Sequence, residues 1–86
     1  MEAKLVKRLT GGEFRGDARL YKLSDPLDGH TLVVVSAAVV PFSGPETYIF
    51  PANEQGEITD FGELNGSGRG YLDHREALSI AGYSIE

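Results

Sequence analysis

The sequence predicts an α+β fold: an antiparallel β-meander of four or five strands with one short C-terminal helix packed on the sheet. Three observations carry that expectation. Short apolar stretches with two-residue alternation recur along the first two-thirds of the chain, separated by Gly/Pro/Asp clusters. One of them, "TLVVVSAAVV" at 31–40, is apolar on both faces and reads as the central strand. The segment "LDHREALSIAGY" at 72–83 carries start and stop signals of a helix.

In chain order, "AKLVKRL" at 3–9 is a half-buried strand. Ala3, Leu5 and Leu9 are expected on one face and Lys4, Val6 and Arg8 on the other, with Lys7 interrupting the apolar side. Its lysines suit an edge position. "TGGEFRGD" at 10–17 has turn chemistry, with Phe14 inside it, and "ARLYKL" at 18–23 is a second strand. "SDPLDGH" at 24–30 is a connection that Asp28-Gly29 can close. In the central strand, Val33, Val35, Ala37 and Val39 share one face, and Leu32, Val34, Ala38 and Val40 share the other with Ser36. A helix or a second copy of the chain is needed to cover the second face, which suggests a homodimer. "PFSGP" at 41–45 is a turn, "ETYIF" at 46–50 a strand ended by Pro51, and "EITDF" at 57–61 the last strand.

The helix is expected at about 74–81. Asp73 is a good N-cap, Glu76 completes a capping box, and Leu72 and Ala77 occupy the staple positions. Gly82 fits the left-handed position that stops a helix, and Tyr83 can cover Leu78.

Eighty-six residues make one domain, spanning 1–86. A chain this short buries about 60–65% of its unfolded surface, so modest stability is expected. There is no cysteine, hence no disulfide, thiolate metal site or cysteine nucleophile. No signal peptide is evident, and the longest apolar run is nine residues against the ~20 of a membrane helix. A soluble cytoplasmic protein with no membrane partner is the expectation.

Charge is split along the chain. Residues 1–22 hold Lys4, Lys7, Arg8, Arg15, Arg19 and Lys22 against Glu2, Glu13 and Asp17, net +3. Residues 23–86 hold Arg69 and Arg75 against ten acids, net −8. The balance of −5 disfavours nucleic acid, whose phosphates dominate binding. Two readings of the split stay open. The basic first hairpin lies against later acidic segments, or an acidic face docks a basic partner. The candidate contact surface is Glu46, Glu54, Glu57, Asp60 and Glu63, with Arg69.

Motifs of chemistry are lacking. "GELNGSGRG" at 62–70 has neither the Lys of a phosphate loop nor the spacing of a dinucleotide fingerprint, and reads as a flexible connection. His30 and His74 read as lone surface histidines without metal-site spacing. Ser43 in "FSGPE" is framed by turn residues, and no serine lies in a nucleophile elbow. Tyr48 and Phe50 share a strand face and read as core packing; such pairs can also stack bases. A small domain also leaves little room for a deep pocket. The expectation is a protein that is not an enzyme, with no cofactor and no metal.

The segments "GEFRGDARLY" at 12–21, "FSGPETYIFPA" at 42–52, "TDFGEL" at 59–64 and "LDHREAL..AGY" at 72–83 resemble small uncharacterised proteins encoded by phages of actinobacteria such as mycobacteria. The resemblance covers most of the chain and carries no catalytic or binding residues. It implies a protein made in the cytoplasm of a bacterial host during infection. The run without basic residues from 23 to 68 adds the expectation of a small non-enzymatic protein-binding module acting on a host or phage protein. An acidic DNA-mimic inhibitor and a virion-associated structural protein are the alternatives.

Overall fold

A computed structural model describes residues 1–9, 17–40, 44–60, 68–69 and 73–85. The elements are β1 (Glu2–Leu9), β2 (Asp17–Leu27), β3 (His30–Val40), β4 (Gly44–Pro51), β5 (Gly68–Arg69), α1 (His74–Ile80) and β6 (Ser84–Ile85). They form one sheet in the order β5-β4-β3-β2-β1-β6 with the helix on one face, an α+β fold as the sequence predicts.

The long strands β1 to β4 make the expected antiparallel meander. The sheet as a whole is mixed, because β6 runs parallel to β1, pairing with Glu2 and Ala3. That pairing follows from the helix. After α1 the chain returns to the outer side of β1 in the same direction as β1, and Ser84 N–H donates to the Met1 carbonyl at 3.0 Å.

Local signals set the tight corners. Leu27 pairs with His30, and the two residues between, Asp28 and Gly29, both have positive φ (50° and 84°). Such a two-residue turn matches the twist of the strands it joins. Strand β2 is longer than expected and carries Pro26 where its register with β3 shifts, one of the few places a strand tolerates proline.

Helix α1 has the expected N-cap and the expected stop. The Asp73 carboxylate accepts from the Arg75 and Glu76 amides at 2.9 and 3.2 Å. At the far end Tyr83 N–H donates to Leu78 O at 2.8 Å and Gly82 N–H to Ser79 O at 3.0 Å, with Gly82 at φ 99°. These are the two bonds of a Schellman stop. Leu72 lies outside the described residues.

Two apolar clusters hold the sheet. On the helix face, Val33, Val35, Tyr21, Leu23, Ala3 and Ile49 pack with Ala77, Leu78 and Tyr83. On the opposite face, Val34, Leu20 and Ala18 are flanked by Leu9, Leu32, Ala52 and Ile58. Val33, Val34 and Val35 are all 0% exposed. The segment after β4 therefore covers the second face of β3 at Val34, where a helix or a second copy of the chain was expected.

Three expectations need correction. Parity in β1 reverses at Val6. Leu5 is opposite Tyr21 but Lys7 is opposite Leu20, so one extra residue is accommodated. Leu9 consequently joins the second-face cluster, away from Ala3 and Leu5. The strand expected at 57–61 is a single bridge, Ala52 with Ile58. Asn53 Oδ1 accepts from the amides of Gln55 and Glu57, both at 3.0 Å, folding this stretch into a turn. Phe61 lies outside the described residues. Within the glycine-rich connection, Gly68 and Arg69 pair with Thr47 and Glu46 as the edge strand β5. Phe14 and Ser43 lie outside the described residues. Among those residues no helix is long and apolar enough to cross a membrane.

Candidate functional site

The expected acidic surface is divided by the fold. Glu46 is 2% exposed, because β4 runs between two neighbours and Glu46 stands opposite Ala38 of β3 and Arg69 of β5. It does not belong to a contact surface. Glu54, Glu57 and Asp60 are exposed, on and just after the turn that follows β4. Glu63 lies outside the described residues. A Cβ placed on Gly56 would lie 2.7 Å from Leu9 Cδ2 and 3.3 Å from Lys7 Cε, so this acidic turn lies directly over β1. The basic first hairpin and the acidic turn are thus neighbours in one molecule.

A concavity lies on the other face, where the start of α1 meets β1, β2 and β6. Its volume is about 550 Å³, and it opens to solvent. That volume exceeds what the chain's length led one to expect. Asp17, Arg19 and Tyr21 line it because residues two apart on a strand share a face. Asp73, His74 and Arg75 enter from the helix start, and Leu5 and Ile85 close the side toward the outer edge of β1.

His74 is buried, 6% exposed, and is not the surface histidine the sequence suggested. It is the first residue of a helix whose apolar side docks on the sheet, and Nε2 donates to the Asp17 carbonyl at 2.8 Å. A carbonyl can only accept, so Nε2 carries the proton and Nδ1 holds the lone pair in the neutral ring. Burial lowers its pKa below 6.5, and the positive charge of Arg19 adds to that; the carbonyls of Asp17 and Val35 and the Asp17 carboxylate act in the opposite direction. The lowered pKa favours the neutral imidazole. Its ring centroid lies 6.5 Å from that of Tyr21.

Arg19 reaches back along its own strand to Asp17, with Nε to Oδ1 at 3.1 Å and Nη2 to Oδ2 at 2.6 Å. The bond to Arg19 is the main reason the Asp17 pKa falls below 3.8, and bonding to Asp17 raises that of Arg19. Both side chains meet solvent, so the pair contributes at most about 1 kcal/mol. The cleft's polar groups are thus mostly committed to one another. Arg19 holds Asp17, His74 holds a backbone carbonyl, and Asp73 caps the helix. Its described walls hold no Ser, Thr or Cys hydroxyl or thiol for an imidazole to activate.

Elsewhere, Tyr48 and Phe50 stack at 5.8 Å and 28°, half-buried on the second face of β4. His30 is exposed beside the β2–β3 turn, far along the chain from His74 and not joined to it. Among the described residues no three His, Asp or Glu side chains stand together as metal ligands.

Sequence reasoning missed the cleft because Asp17 and His74 are 57 residues apart and meet through tertiary docking. The alternation of Asp17, Arg19 and Tyr21 was the available signal. Comparison with protein-family models, with curated proteins and with solved structures found no match for the chain.

Proposed function

We propose that this protein is a small non-enzymatic protein-binding module, acting on a host or phage protein in the cytoplasm of an infected bacterium. The observation that carries the binding reading is the state of β1. Residues 4–8 are exposed on both sides, including the apolar Leu5 (40%) and Val6 (50%), although the strand lies within the sheet order. Edge strands are normally short, covered or purely polar, because their open hydrogen-bonding groups recruit other chains. The phage setting rests on the resemblance in sequence.

The acidic DNA-mimic reading is less well supported. Glu46 is buried, Asp17 is held by Arg19, Asp73 caps a helix, and Lys4, Lys7, Arg8 and Lys22 are exposed among the acids that remain.

Affinity capture from a mycobacterial lysate, with quantitative mass spectrometry, tests the proposal. The expected result is a saturable protein partner that Leu5→Asp and Val6→Asp both release. Absence of any saturable partner, together with thermal stabilisation by a nucleotide or metal ion from a ligand panel, would refute it.

A further inference from the structure

Building on the protein-binding reading, we propose that the outer edge of β1 from Lys4 onward adds an extended acidic segment of another protein as a further strand. Strand β6 pairs with Glu2 and Ala3 and extends no further among the described residues. The Met1 carbonyl faces β6, since it accepts from Ser84. Strand alternation then turns the N–H and carbonyl of Ala3 and of Leu5 to the same outer edge. Register is unbroken from Ala3 to Leu5, so the alternation holds there. An incoming strand continues the line that β6 begins.

Concavities reach β1 on both faces of the sheet. On the helix face is the cleft bounded by Leu5, Tyr21, His74 and Ile85. On the other is a groove of about 380 Å³ lined by Val6, Leu20, Lys22, Thr31, Leu32 and Glu54. An added strand sends alternate side chains to opposite faces, and such paired grooves are what give strand addition its selectivity.

Charge identifies the occupant. Two cross-strand pairs join like charges, Lys4 opposite Lys22 and Arg8 opposite Arg19. Like charges directly opposite are destabilising. Asp17 offsets Arg19 and, at longer range, Arg8, and no ion pair among the described residues offsets Lys4, Lys7 or Lys22. An acidic segment compensates them. A second copy of β1 would add its own Lys4, Lys7 and Arg8 to the same edge, which disfavours self-pairing.

The test is a titration of ¹⁵N-labelled protein with three synthetic octapeptides. One alternates Glu and Val, one alternates Lys and Val, and one is the Glu/Val peptide N-methylated at every second residue. The expected result is that the Glu/Val peptide shifts β1 and Ile85 resonances and slows exchange of the Leu5 amide at least tenfold. It should bind at least tenfold more tightly than the other two, and Lys4→Glu/Lys7→Glu should reverse the charge preference. Shifts centred elsewhere, equal binding of the Lys/Val peptide, or equal binding of the N-methylated peptide would overturn the site. So would a concentration-dependent dimer in which the Leu5 amide is already protected without peptide. A lysate partner that survives Lys4→Glu/Lys7→Glu would overturn strand addition at this edge while leaving the protein-binding reading intact.

Discussion

Strand β3 is apolar on both faces and β1 alternates apolar with charged residues, and the fold treats them in opposite ways. Strand β3 is sealed on both faces, by the helix residues Ala77 and Leu78 on one and by Ala52, Ile58 and Leu9 on the other. Strand β1 keeps Ala3 buried and leaves residues 4–8 in solvent. The difference lies in what each strand's neighbours can reach. Helix α1 has seven residues, enough to cover β3 and the adjoining parts of β2 and β4. The turn after β4 reaches Lys7 and Leu9 of β1 at Gly56. Stability is therefore concentrated at β3, and interaction surface at β1.

The sharpest way to break this comparison is a truncation in the helix. Leu78→Ala should lower unfolding free energy by roughly 2–5 kcal/mol, because the side chain is fully buried in the helix-face cluster. Denaturant titration measures it. A loss under about 1 kcal/mol would mean the helix is not what seals β3.

Next in size is Gly56→Ala. Gly56 has φ 84° and faces Leu9 Cδ2, so the added methyl meets both backbone strain and a packed neighbour. A loss of about 1–3 kcal/mol is expected. Preserved stability would mean that the turn does not hold down the second face.

Asp73→Ala should cost about 1 kcal/mol, since two helix amides lose their acceptor. Asp73→Asn should recover most of it in the same titration.

A smaller effect separates the faces by pH. His74 has a folded pKa below its ordinary 6.5, so the unfolded chain takes up a proton first as pH falls. The unfolded state then binds more protons, and stability declines from about pH 6.5 downward through the folded pKa. His74→Gln keeps an N–H donor for the Asp17 carbonyl and does not titrate. Between pH 7 and 5 the wild-type midpoint should fall more steeply than that of His74→Gln. Parallel curves would show that His74 is not buried against β2.

The smallest effect is on β1 itself. Val6→Ser should change stability by no more than about 0.5 kcal/mol, as at an ordinary exposed position.

The same contrast explains what could be read from the sequence. Helix α1 and its stops were legible because Asp73, Gly82 and Tyr83 act within a few residues of one another. The Asp28–Gly29 corner and the doubly covered β3 were legible for the same reason, as local turn chemistry and an unbroken apolar run. Strand β1 was legible as a strand but not in its parity, since the bulge at Val6 involves neither Gly nor Pro. The parallel pairing of β6 rests on two residues and a tertiary return of the chain. Glu46 and His74 were misplaced because burial of a polar residue is decided by partners far away in sequence. For His74 the partner is the Asp17 carbonyl on β2; for Glu46 it is the position of β4 between β3 and β5. The alternation at 57–61 was real, but Asn53 gathers the preceding amides into a turn before a strand can form.

Residue-resolved amide hydrogen exchange on the free, dilute protein tests the contrast most directly. The account predicts that Val33, Val34 and Val35 exchange only through global unfolding, while the Leu5 amide exchanges near the rate of an unprotected peptide. Protection of Leu5 comparable to that of the three valines would contradict it.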